Sequence, residues 1–100
     1  MAKQISVVAT IIAEEGLEEK IYQELQRLVP LTRKEKGCID YVLHRSNDDS
    51  RVFIMYENWK SKEDLNRHNQ SKHFKAFQSN TQGIIKELKV HELTTIESNE

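Results

Sequence analysis

A single cysteine, Cys38, stands among 100 residues, which excludes an intrachain disulfide and any metal site built from a cysteine cluster. The three glycines lie far apart, at positions 16, 37 and 83, so they cannot form a phosphate-cradling loop or a dinucleotide fingerprint. Neither a nucleotide nor a flavin held in the usual way is expected. Excess charge of one sign is also missing: 15 Lys and Arg face 16 Asp and Glu, a formal net charge of −1. Without a basic field there is nothing to hold a polyphosphate, and nucleic acid is not an expected partner. Long apolar runs are absent too. Val7-Val8-Ala9 and residues 52–56 fall far short of the roughly 20 residues that span a bilayer, and no basic-then-apolar leader opens the chain. The expectation is a cytoplasmic protein with no membrane partner. What is present, 37% apolar and 31% charged residues in 100, describes one globular domain over residues 1–100.

Residues 4–13 (QISVVATIIA) are β-branched and apolar and end at Glu14-Glu15-Gly16, which reads as a strand. From Leu17 the period changes, with Leu17, Ile21, Leu25 and Leu28 forming one helical stripe. Pro30 should kink that helix or start a second segment running to Lys36, and Gly37 fits a left-handed helix stop. Residues 38–45 (CIDYVLHR) place Ile39, Tyr41 and Leu43 on one strand face. The turn formers Ser46 to Ser50 join this run as a hairpin to a strand over residues 51–59 (RVFIMYENW). Ser61 with Asp64 opens a short helix over residues 62–69, and Ser71 caps another that carries Phe74, Phe77 and Thr81 and stops at Gly83. A last strand is expected over residues 87–96, followed by a frayed end from Glu97 to Glu100.

The order strand, helix, strand, strand, helix pair, strand defines an α+β ferredoxin-like split βαβ arrangement with a four-stranded antiparallel sheet. Helices cover one face of such a sheet, yet these strands carry apolar residues on both: Val7, Ala9 and Ile11 against Val8 and Ile12, and Phe53, Met55 and Trp59 against Val52, Ile54 and Tyr56. A second subunit covering the open face is the simplest remedy, so a homodimer is expected.

The residues able to carry chemistry gather at the end of the third strand and in the helices after it: Glu57, Asn58, Trp59, His68, His73 and Phe74. His68 follows Leu65 by three residues and so faces inward, where a partly dry imidazole can take and return a proton near neutral pH. The alternative is a buried histidine that pins helix to strand through a partner such as Glu57. Glu57 and Trp59 share a strand face. Trp59 packs the sheet edge or walls an aromatic ligand, and Glu57 needs a partner or water. His73, in the first turn of its helix, is exposed or catalytic. Phe74 lines a pocket or joins Phe77 in the core, and Tyr41 packs or donates a hydrogen bond. The four histidines, at 44, 68, 73 and 91, include no pair four apart on one helix, so no metal site is expected. Cys38 reads as a small buried thiol, and Arg33 to Lys36 as a solvated helix end.

Leu28-Val29-Pro30, Lys34-Glu35-Lys36-Gly37-Cys38 with Tyr41, then Met55 to Ser61, Leu65, His68 and Ser71 to Lys75 resemble the antibiotic biosynthesis monooxygenase domain family, and within it the small bacterial quinol monooxygenases. The resemblance implies a dimeric α+β barrel of ferredoxin-like subunits, each with a pocket between sheet and helices. It also implies oxygenation of small aromatic phenols or hydroquinones by dioxygen, with no metal or flavin cofactor. On this reading His68, Trp59 and Glu57 are catalytic, while Asn58, Tyr41, His73 and Phe74 bind substrate. Haem-degrading members use a Trp and, further along, a His, where this chain has His68 and Phe77, which disfavours that activity. Two alternatives stay open. One is an isomerase of a small phosphorylated autoinducer breakdown product, which needs a cationic group in the pocket; the other is a non-catalytic dimeric ligand-binding module. Fold alone does not choose among them.

Overall fold

The computed structural model describes residues 3–96, so the expected fraying from Glu97 to Glu100 lies outside the described residues. Strand β1 (Ile5–Ala13) is followed by helix α1 (Glu18–Arg33), strands β2 (Cys38–Arg45) and β3 (Val52–Trp59), helices α2 (Lys62–Asn69) and α3 (Lys72–Asn80), and strand β4 (Ile85–Leu93). The strands form one antiparallel sheet in the order β2-β3-β1-β4, the ferredoxin-like topology that the element order implies.

Strand alternation decides what each face carries. In β1, Ile5, Val7, Ala9, Ile11 and Ala13 are buried while the residues between them are half-buried. Their antiparallel register places Val7 opposite Glu57, Ala9 opposite Met55 and Ile11 opposite Phe53, so β3 turns the same face to the helices. Against that face α1 packs its stripe of Ile21, Leu25 and Leu28, α2 adds Leu65, and α3 adds Phe77. Among the described residues no helix covers the other face. It presents Val8, Ile12 and Ile54 half-buried and Val42 and Tyr56 exposed, the two-sided apolar pattern expected of these strands.

Several local expectations need correction. Helix α1 runs through Pro30 to Arg33 without a second segment to Lys36; the chain leaves it in tight turns closed by Glu35 N–H donating to Thr32 O and Cys38 N–H to Glu35 O. Gly37 is not in the left-handed region. Its role is close approach, since a Cβ there would overlap the Asp64 side chain of α2. Gly83, with φ of 82°, does occupy that region just after α3. Ile39 is exposed rather than aligned with Tyr41 and Leu43, because a bulge between Cys38 and Asp40 pushes it out of the ladder. Strand β3 begins at Val52, and β4 covers Ile85–Leu93, starting and ending earlier than the pattern predicts. Beyond Ile85 every residue of β4 is exposed, so apolar periodicity has no buried face to report there.

Both helix starts match their caps. Ser61 Oγ accepts from Asp64 N–H and Ser71 Oγ from Phe74 N–H. These caps fix where α2 and α3 begin, and Ser71 Oγ also donates to His68 O at 2.7 Å, which ties the end of α2 to the start of α3 and orients the two histidines flanking the junction.

Candidate active site

The end of β3 supplies the first groups. Odd positions face the helices, so Glu57 and Trp59 point inward and Asn58 points to the opposite face. There Asn58 accepts from Ser6 Oγ at 2.5 Å and donates to Asp40 Oδ2 at 3.0 Å. It lies across the sheet from the other candidates and is no part of their cluster. Glu57 is buried, and Trp59 Nε1 donates to its Oε1 at 2.9 Å.

His68, in the last turn of α2, is 2% exposed and boxed in by aromatic rings: Trp59 and Phe74 each at 4.8 Å between centroids, and Tyr41 at 5.6 Å. Its hydrogen-bond partner is Glu35 rather than Glu57. Nδ1 lies 2.7 Å from Glu35 Oε2, and the same oxygen lies 2.6 Å from His73 Nε2. A carboxylate can only accept, so the shared oxygen draws an N–H from each ring. This fixes His68 with its hydrogen on Nδ1 and leaves Nε2 as a lone pair. No partner among the described residues occupies Nε2.

Glu35 is the member of this cluster that sequence reasoning missed. Read as part of a solvated charged run, it instead sits in the turn after α1 and reaches over the α2–α3 junction. The signal was slight: a carboxylate two residues before a glycine that lets the turn press against α2. Together Glu35, His68 and His73 offer three ligand-type atoms within 4.8 Å of one another, a grouping that no single-helix spacing reveals.

A cavity of about 150 Å³ lies between the sheet and the helices. His68, Glu57, Tyr41 and Phe74 line it among apolar residues that include Met55 and Leu65. Trp59 does not reach it; fully buried, it stands behind His68 and Glu57 and steadies both. His73 is also outside it and joins through Glu35, with its ring 6.0 Å from that of His68. The mouth opens at the β4 edge, where Leu88 and Val90 are more than half exposed and Lys62 Nζ meets Glu92 Oε2 at 2.6 Å.

Burial sets the electrostatics. It lowers the pKa of His68, against the opposing pull of Glu35, so the imidazole is neutral at pH 7 and its contact with Glu35 is a hydrogen bond rather than an ion pair. Burial pushes Glu57 up to about 7; the Trp59 N–H works against this and Glu35 adds to it. Tyr41 is raised well above the ordinary phenol range, mainly by burial and then by Glu57, and stays a neutral hydroxyl. Burial, with Glu35 next, pushes the Cys38 thiol up to about 11, which leaves it protonated and a poor nucleophile.

The raised Glu57 has a measurable consequence. An unfolded glutamate releases its proton near 4.5, whereas the folded protein holds it to about 7, so the contribution of this group to stability is greatest below 4.5 and declines as pH rises between these values. The loss should reach about 3 kcal/mol by pH 8. Glu57→Gln cannot ionise and still accepts from Trp59, so it should lack this decline and should exceed the wild type at pH 8. Urea unfolding at pH 5 and pH 8 reads both, and parallel slopes for the two proteins would show that Glu57 is not the group responsible.

Comparison with known proteins follows the same outline. The family pattern described as antibiotic biosynthesis monooxygenase matches residues 4–80, from the start of β1 to the end of α3. The structure of PA3566 from Pseudomonas aeruginosa is similar with a TM-score of 0.92 at 33% identity, covering 97% of this chain and 98% of that one. Rv0793 from Mycobacterium tuberculosis shares the fold, with a TM-score of 0.90 at 20% identity over 98% and 100% of the two chains. A curated relative from Bacillus subtilis (strain 168), named "Putative monooxygenase YcnE", is 34% identical over 59 residues, which span 59% of this chain and 62% of that protein. Because the matched residues include the strand ends, the turn carrying Glu35 and the α2–α3 junction that together enclose the cavity, the chain belongs to the antibiotic biosynthesis monooxygenase family.

Proposed function

We propose that the chain is a monooxygenase that uses dioxygen on small, single-ring phenols or hydroquinones, with His68 as the base. The observation that carries this reading is the bare Nε2 of a neutral, tautomer-fixed histidine at the wall of an otherwise largely apolar cavity. Size supports a single ring, since an engineered apolar cavity of about 150 Å³ is known to take up benzene. A larger ring system would have to project through the mouth past Leu88 and Val90.

The chemistry follows from the spin state of oxygen. Triplet dioxygen reacts slowly with closed-shell molecules, so an electron donor is needed, and a phenolate can be that donor. His68 Nε2 takes the phenolic proton, the phenolate passes one electron to dioxygen, and the two radicals combine at a ring carbon to give a peroxide. Loss of water from the peroxide leaves a quinone, so phenol and dioxygen become quinone and water. The sequence of steps calls on no bound cofactor. Glu57, buried and near its midpoint at neutral pH, can donate the proton that departs with the peroxide oxygen. Tyr41 and Phe74 hold the ring, and Trp59 keeps His68 and Glu57 in place.

Oxygen consumption over a panel of single-ring phenols and hydroquinones should exceed the protein-free rate and survive chelators. A panel with no member above background would sink the oxygenase reading. The isomerase alternative draws less support, because Lys62, the cation at the cavity, is already held by Glu92.

The bare sheet face belongs to the same reading: a second copy packed there would bury Val8, Ile54 and Tyr56. Light scattering should therefore report a dimer, and Tyr56→Lys, which sets a charge in the middle of that face, should halve the mass. A wild-type chain that stays monomeric at micromolar concentration would end the dimer proposal.

A further inference from the structure

We propose that Glu35, His68 and His73 form a binding site for a divalent transition-metal ion of the zinc class, and that filling it disables the base at His68. The second half rests on the oxygenase reading; the first half does not.

Two imidazoles and one carboxylate are a ligand set that zinc accepts, with an open position left for water. Here they already converge: Glu35 Oε2 lies 2.7 Å from His68 Nδ1 and 2.6 Å from His73 Nε2, and all three ligand atoms fall within 4.8 Å of one another. The ligands come from three separate places, the turn after α1, the end of α2 and the start of α3. Their convergence is therefore a property of the fold and not of one helix face. The His68 ring is held by Trp59 and Phe74, the kind of surrounding support that keeps a ligand aimed. Entry is available, because Glu35 and His73 are partly exposed and a shallow surface cleft bordered by Glu35, Gln70 and Ser71 leads to the carboxylate. Asp64 in that cleft is occupied by Arg67, and Lys36 is the other cation at its border. One free carboxylate therefore faces the ion.

The proton balance gives the regulatory consequence. In the empty site each imidazole directs an N–H at Glu35. A metal ion takes the positions of those hydrogens, and for each ring to remain a neutral ligand its one hydrogen moves through solvent to the other nitrogen. For His68 that nitrogen is Nε2, which then presents N–H to the cavity and can no longer accept a phenolic proton. No oxidation or reduction is involved.

The test uses the whole chain stripped with a chelator and titrated with Zn²⁺ or Co²⁺. One equivalent of Co²⁺ should give the visible absorption of a low-symmetry site, and Zn²⁺ should raise the thermal midpoint. Glu35→Gln and His73→Asn should each weaken binding by more than about 100-fold, beyond the usual effect of removing an outer supporting group. A wild-type protein that binds neither ion, or variants that bind as tightly as wild type, would overturn the site. The inhibitory half is read by oxygen uptake: Zn²⁺ should suppress it, and excess chelator should restore it. Uptake that persists with the site filled would remove the regulation and keep the site. No uptake even from metal-free protein would count against the oxygenase reading, while the Co²⁺ titration would still decide the site.

Discussion

His68→Ala should lower kcat/KM for phenol-dependent oxygen uptake by roughly 10² to 10⁴-fold, the usual share of a positioned general base. The loss should appear mostly in kcat, because the ring that abstracts the proton adds little to binding an apolar molecule in a cavity whose other walls are intact. Added imidazole should recover part of the rate, since deletion of the side chain leaves a void beside Glu35 in which a small base can sit. Glu35 keeps its second donor, His73, so its carboxylate is not left unpaired. Oxygen-electrode rates on folded variant, with circular dichroism to verify the fold, make the comparison. A variant that turns over like the wild type would remove His68 from the chemistry and leave it as a pin between helix and turn.

Trp59→Ala should cost about 3 to 5 kcal/mol of stability, the range for deleting a large aromatic side chain from a core. Trp59 is fully buried, pairs edge-on with Tyr41 at 6.4 Å and supports the His68 ring at 4.8 Å. It also supplies the hydrogen bond that holds Glu57. Its removal therefore opens a hole and strips a buried carboxyl of its donor together. Trp59→Phe separates the two effects. Most of the volume stays, so the remaining cost should be about 1 to 3 kcal/mol for the unpaired group, and the Glu57 pKa should rise further because the N–H that lowers it is gone. Chemical denaturation ranks the three proteins. Equal stability of Trp59→Phe and the wild type would mean that the indole N–H contributes nothing to holding Glu57.

Much of this arrangement was legible in the sequence, and the reasons differ from residue to residue. Strand alternation was enough to turn Glu57 and Trp59 to one side, and the same rule places Asn58 on the other, though nearness in sequence grouped it with them. The two serine caps marked where α2 and α3 begin, and Leu65 gave the inward side on which His68 lies. Glu35 was illegible because nothing local distinguishes it from its charged neighbours; its partners are 33 and 38 residues away and meet it only after the turn folds over the helix junction. Gly37 misled for a related reason. A glycine after a helix usually marks a left-handed stop, and the contact that demands this one comes from Asp64, on a later helix. The ends of β4 were hidden because an edge strand with exposed sides carries no amphipathic signature.

That edge strand has a consequence for how such a cavity could diversify. Leu88, Val90 and Glu92 border the cavity from β4, which among the described residues pairs with β1 alone and lies beyond the stretch shared with the family pattern. Swapping these side chains would resize the doorway while the acid, the imidazole and their supports stay on inner strands and capped helices. Selection could thus retune which molecules are admitted with little penalty to foldedness, leaving the proposed proton-handling groups unaltered.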